Sequence, residues 1–215
     1  MRTGNFRCRG LVLALALAWA GSVEENLQSL LAPLIAAKNA GRTGEVAGAV
    51  AGEAKTPEGS AIPRPGVLLT LVPRSPKLLG ELEEVKTRAR ESEAGYLGAA
   101  TGVARLRESA EQALVGAGAG DLIFSGRSDA RGSFVFSSVP AGEWLLLGQH
   151  ETFHRLQRRG PSPRERRDFR LSPQPVGYRA VTYWLVPVRV AGGGAVRLAL
   201  TDRNLWLRGV VLEHE

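Results

Sequence analysis

The spacing of apolar residues changes along the chain. From 22 to 39, Leu27, Leu30, Leu31, Leu34 and Ile35 recur at helical intervals, which predicts an amphipathic helix. Ser22 can cap it, Glu24 and Glu25 suit the positive end of its dipole, and Gly41 can stop it. Pro33 conflicts with this pattern, because proline lacks an N–H and crowds the preceding turn; a kink, a shortened helix or a loose linker is expected there.

From Gly44 the period becomes two. Alternation at 45–50 predicts a first strand, and Pro65 to Pro73, with Val67, Leu69 and Leu71 on one face, predicts a second. Five more are expected at 121–125, 133–137, 143–148, 181–190 and 195–200. Seven short strands punctuated by Gly and Pro indicate a mainly β chain folded as a sandwich.

Between the second and third strands, 75–116 is rich in Ala, Leu, Glu, Arg and Lys. Ser75 can cap a helix and Pro76 fits its first position. Leu78, Leu82, Val85 and Ala89 form one stripe; Val103, Leu106, Ala110 and Ala113 form another. A single helix of about 40 residues would carry the chain roughly 60 Å away from the sheet that it must rejoin. Two antiparallel helices are therefore expected, with the break near Gly95, Gly98 and Gly102.

Residues 128–146 carry the strongest local signal. Asp129 can accept main-chain N–H bonds in a tight turn, and Gly132 can take the positive φ that closes it. Phe134 and Phe136 then share one face of a strand. Val139 to Gly142 makes a second turn, and Trp144 and Leu146 begin the next alternation.

The run Ser128-Asp129-x-x-Gly132-x-Phe134-x-Phe136-x-x-Val139-Pro140-x-Gly142-x-Trp144 resembles the signature of carboxypeptidase regulatory-like domains. Gly44 to Val50 and Pro65 to Leu71 look like that family's first two strands, so the likeness covers about 44–150 with a gap. It implies a seven-stranded, transthyretin-like Greek-key β-sandwich, here with an inserted α-helical hairpin. Related folds include collagen-adhesin B-type repeats and starch-binding-like domains. The implied role is accessory, in stability, adhesion or partner binding, without catalytic residues. The helical stretch and a long loop at 151–178 depart from the family's usual short connections.

Composition refines this picture. A chain of 215 residues fits one domain with additions, and a single cysteine excludes an internal disulfide framework and a Cys-based zinc site. Arg2, Arg7 and Arg9 precede the ten-residue apolar run Leu11 to Ala20, which ends in Ala18-Trp19-Ala20, a small-x-small cleavage site. Residues 1–20 thus read as a signal peptide cleaved after Ala20, with an uncleaved anchor as the alternative. A secreted or periplasmic protein without a membrane span is expected. Cys8 lies before the apolar run, unlike a lipoprotein cysteine. Without the three N-terminal arginines the net charge of +7 becomes +4, which gives no case for nucleic acid. The expected organisation is a signal peptide (1–20), an amphipathic helix or linker (21–43), a sandwich (44–201) with its insertion at 76–117, and a tail (202–215); Thr201 to Leu207 is open to a turn and an edge strand.

Two features carry candidate chemistry. His150-Glu151-x-x-His154 on a helix would ligate zinc, with the Glu as general base, giving a zinc metallopeptidase. On a strand the two histidines would stand about 13 Å apart and could not share an ion. The motif directly follows the expected strand at Trp144 to Leu147, so no metal, cofactor or catalytic residue is expected and the peptidase is the alternative. In the loop, Arg155, Arg158, Arg159, Arg164, Arg166, Arg167 and Arg170 face only Glu165 and Asp168, a local charge of +5 that could meet an anionic surface. The strand around Trp184 is apolar on both faces, which points to a central position or to cover by the helices; a buried Trp184 is expected rather than a sugar-stacking platform. The reading is an exported, non-catalytic β-sandwich that binds a protein or cell-envelope partner through the helical insertion or the basic loop. A carbohydrate-binding module is a further alternative, by fold analogy.

Overall fold

The computed structural model describes residues 27–53, 61–156 and 175–214. The segment read as a signal peptide with its cleavage site, and Arg158, Arg159, Arg164, Arg166, Arg167 and Arg170, lie outside the described residues. A first helix, α1 (27–39), buries Leu31, Leu34 and Ala37 and turns Pro33 to solvent; helix continues on both sides of that proline.

Nine strands follow among the described residues: β1 (Thr43–Gly52), β2 (Ile62–Pro63), β3 (Leu68–Pro73), β4 (Phe124–Arg127), β5 (Ser133–Pro140), β6 (Gly142–Arg155), β7 (Pro175–Val190), β8 (Ala195–Leu200) and β9 (Leu207–His214). The smaller sheet runs β2-β1-β5, with β8 also paired to β1; the larger runs β4-β3-β6-β7-β9. All pairings are antiparallel except β1 with β8. The expected seven strands thus become nine. The short β2 was not foreseen; the C-terminal segment, open to a turn and an edge strand, holds a 3-10 turn, Asp202–Asn204, followed by β9, which begins where that reading ended. Asp121 and Leu122, assigned by pattern to a strand, form a 3-10 turn before β4.

Alternation gives the larger sheet two buried faces. Leu69, Leu71, Trp144, Leu146, Trp184 and Val188 meet Val46, Val50, Phe134, Phe136 and Leu200 of the smaller sheet in one core. Aromatic rings bridge the layers: Phe124 lies 6.3 Å from Phe136 across the sheets and 5.5 Å, edge-on, from Trp144. The opposite face, with Thr70, Leu145, Leu147, Val181 and Tyr183, is roofed by the inserted helices α2 (Pro76–Glu91) and α3 (Glu93–Gly116). Tyr183 donates its hydroxyl to the Ala100 carbonyl at 3.0 Å, and Trp206 Nε1 donates to Glu83 Oε1 at 2.8 Å. The domain therefore has three layers, sheet on sheet on helices.

The helical hairpin forms as expected, but its break is at Ser92, not at 95–102. Ser92 is extended (φ −155°, ψ 156°), ends α2, and caps α3 by accepting from Gly95 N at 3.0 Å. The glycines serve packing instead. A Cβ on Gly95 would stand 2.1 Å from the Arg88 carbonyl oxygen, so its bareness lets the two helices turn tightly. No helix among the described residues is long and apolar enough to cross a membrane.

The 128–146 stretch folds as its residues predict. Asp129 Oδ1 accepts from the main-chain N–H of Arg131 and of Ser133, both at 2.8 Å, and Gly132 has φ +75°. The buried Ser128 hydroxyl accepts from Val67 N at 3.0 Å and donates to the Arg64 carbonyl at 2.8 Å. Trp144 Nε1 donates to the Pro140 carbonyl at 2.9 Å. Phe134, Phe136 and Trp144 are all buried.

Candidate functional site

The strands β6 and β7 are longer than the alternation suggested. The expected loop at 151–178 begins and ends as strand: 151–155 and 175–178 extend a continuous ladder from Gly142↔Val190 to Arg155↔Gly177. Thr152, Phe153, Val176 and Tyr178 are β-branched or aromatic, and that was the overlooked signal. Arginine density hid it.

This lengthening leaves an overhang. β3 accompanies β6 only from Trp144 to Gln149, because β3 starts at Leu68. From His150 to Arg155, β6 pairs with β7 alone, and β7 in turn with β9. Among the described residues, the other edge of β6 carries no ladder partner there.

Main-chain geometry fixes what that edge presents. Glu143 O accepts from Arg74 N at 3.1 Å on the β3 side, and Leu156 N donates to Val176 O at 3.0 Å on the β7 side. N–H and C=O direction alternates along an antiparallel strand, and the β6/β7 register is unbroken. Glu151, Phe153 and Arg155 therefore turn their N–H and C=O groups to the open edge. Their side chains share the face on the helix side; those of His150, Thr152 and His154 share the other.

Both faces of the overhang are decorated. Phe153 is 54% exposed, and its ring lies on Gly177, where a Cβ would sit 2.6 Å from it. Glu151 Oε2 accepts from Arg179 Nη1 at 3.1 Å, Glu151 Oε1 accepts from Gln149 Nε2 at 2.7 Å, and Arg179 Nε donates to Glu213 at 2.5 Å. On the far face His154 stacks on Tyr178 with ring centroids 4.9 Å apart, near the 42% exposed Leu212. At the notch where β3 stops, Gly66, Leu68, Arg127, Gln149 and His150 line a polar cavity of about 230 Å³. Burial holds the His150 imidazole below its usual pKa, and the nearby Arg64 guanidinium pushes the same way. Arg64 is itself held by Asp202 at 2.7 Å and lies 5.8 Å from the Trp184 ring.

The helical arrangement on which the zinc peptidase alternative depends is not formed. His150, Glu151 and His154 lie in β6, so the two imidazoles are about 13 Å apart and Glu151 projects from the opposite face. No group of three or more His, Cys, Asp or Glu among the described residues could hold a metal ion. The helical insertion, one of the two surfaces expected to meet a partner, spends its apolar stripe on the sheet: Leu78, Leu82, Ala99, Ala100 and Val103 are buried in the core cluster. Of the loop arginines proposed for an anionic surface, only Arg155 is described, and it ends β6 at the tip of the overhang. Trp144 and Trp184 are fully buried and offer no stacking platform. A second, apolar cavity of about 480 Å³ lies between α1 and the hairpin, lined by Leu27, Leu30, Val72, Leu78, Leu106 and Leu114.

No protein-family model matches this chain, and no curated protein does. Among solved structures, one described as a "putative carbohydrate binding protein" from Pseudomonas aeruginosa is similar over 74% of this chain and 88% of that chain, with 13% identity and a TM-score of 0.41.

Proposed function

We propose that the protein is an exported, non-catalytic accessory module that binds a protein of the cell envelope by adding that partner's strand to the open edge of β6. The observation that carries this reading is the edge of β6 from His150 to Arg155 opposite β7, which has no ladder partner among the described residues and presents three sets of main-chain donors and acceptors beside an exposed Phe153. A strand laid on such an edge gains a hydrogen-bonded ladder, and side chains on alternate faces select its sequence. The likeness of Ser128 to Trp144 to carboxypeptidase regulatory-like domains supports both the accessory role and a transthyretin-like reading of the sandwich. The apolar run before Ala20 supports export. Binding by ladder formation needs no reacting group, which suits an overhang whose one carboxylate, Glu151, is engaged by Arg179.

A photoreactive phenylalanine analogue at position 153 tests the reading in the native envelope. Crosslinks to a protein are expected from 153 and not from position 115, where the exposed Val115 lies on α3. Equal yields at both positions, or none at 153, would overturn it. The carbohydrate alternative needs a surface other than Trp144 and Trp184, and a glycan array tests it separately.

A further inference from the structure

We infer that the strand received by β6 is β6 of a second copy of this chain, paired antiparallel about a two-fold axis through Phe153. This rests on the strand-addition reading and names its partner.

The argument begins with parity. In an antiparallel ladder, residues that exchange hydrogen bonds must both direct N–H and C=O across the gap. On β6 these are Glu151, Phe153 and Arg155, so odd positions must face odd positions. An axis at Phe153 pairs Phe153 with its own copy and pairs Glu151 with the second copy's Arg155, twice. That makes three bonded pairs within the unpaired stretch. An axis at Thr152 pairs Glu151 with Phe153, and one at His154 pairs Phe153 with Arg155; each leaves only two bonded pairs within that stretch.

Side-chain chemistry selects the same register. Glu151 and Arg155 are equally distant from Phe153 in sequence, opposite in charge and on one face of the strand. At the two-fold axis each acid meets a base, and the two Phe153 rings meet each other. Opposite charges and aromatic pairs placed directly across a ladder stabilise it, whereas like charges oppose it. Glu151 already accepts from Arg179 and Gln149, but a carboxylate has about four acceptor sites and can serve another guanidinium. Such an interface is isologous and closes at two copies.

A charge exchange tests this in the full chain, with sedimentation as the readout. The unaltered protein is expected to dimerise. Arg155→Glu alone places like charges across both ends of the ladder and should weaken dimerisation at least tenfold; Glu151→Arg alone should do the same. Mixed together, the two variants restore both acid–base pairs and should form a heterodimer. That heterodimer would also show that both variants are folded. With Cys8→Ser as background, Phe153→Cys should oxidise to a covalent dimer, since bonded pairs lie about 5.5 Å apart at Cα, within disulfide range. Val115→Cys should not.

A chain that stays monomeric at high concentration, or a mixture that fails to pair while each variant keeps its circular dichroism, would overturn the second copy as partner. If position 153 then still crosslinks to another envelope protein, strand addition survives and only the partner is wrong. If position 153 crosslinks to nothing, both fall.

Discussion

Tyr183, in the middle of β7, gives its phenolic hydrogen to the main-chain carbonyl of Ala100, in α3, at 3.0 Å. This bond ties the inserted hairpin to the sheet that it roofs. It is buried, and burial pushes the Tyr183 hydroxyl pKa well above its ordinary value of 10.0. Tyr183→Phe should cost about 1 kcal/mol in denaturant unfolding, with fold and circular dichroism retained. The pH dependence has a definite sign. Above pH 10 the unfolded chain loses this proton before the folded one does, so stability falls as pH rises from there. The Phe variant should show a shallower alkaline decline.

His150 acts on the acid side. Its pKa is lowered in the fold, by burial first and by Arg64 second, so the unfolded chain takes up the proton earlier. Its contribution to stability is present above the ordinary value of 6.5 and is lost as pH falls through the lower folded value. His150→Gln should flatten the stability profile below pH 6.5, and an imidazole titration followed by NMR should place His150 below 6.5.

The turn that joins the two sheets should be sensitive out of proportion to its size. Ser128→Ala removes a buried hydroxyl that serves both Val67 N and the Arg64 carbonyl, a loss of about 2 kcal/mol. Gly132→Ala meets a positive φ and places its methyl 2.3 Å from the Val50 carbonyl oxygen, at a cost of roughly 2–3 kcal/mol. Thermal unfolding of both variants would measure these losses, and a change in Tm of under a degree would contradict the assigned contacts.

Deleting residues 76–117 should not yield a smaller soluble sandwich. The hairpin covers Leu145, Leu147, Val181 and Tyr183, and removing it would bare one whole face of the larger sheet. The expected outcome is aggregation, or strong binding of a hydrophobic dye, and loss of cooperative unfolding. A monomeric, cooperatively folding deletion variant would refute the three-layer description.

Residues whose local chemistry and long-range role agree were legible in the sequence. Asp129 and Gly132 make the same turn in isolation and in the fold, and the doubly apolar strand at Tyr183 and Trp184 announced cover on both sides. What local pattern does not encode was missed. Gly95 reads as a helix breaker, yet it lies inside α3 because its bareness lets α2 approach, and only the partner helix reveals that. The overhang was hidden for a related reason. Strand character at 151–155 depends on the ladder to β7, and the arginines nearby gave the segment the composition of a loop. The candidate edge is a difference in length between β3 and β6, so it belongs to neither strand alone.

The parallel pairing of β1 with β8 bears on the order of assembly. Glu45 lies beside Ala195, so β1 waits for a segment far along the chain before its second flank is closed. β5 can dock earlier, but a nascent chain halted before residue 195 keeps one rim of its opening strand bare. Completion of the smaller sheet therefore waits on a pairing between segments distant in sequence, and a slow step, set by the long loop that must close, is built into the topology.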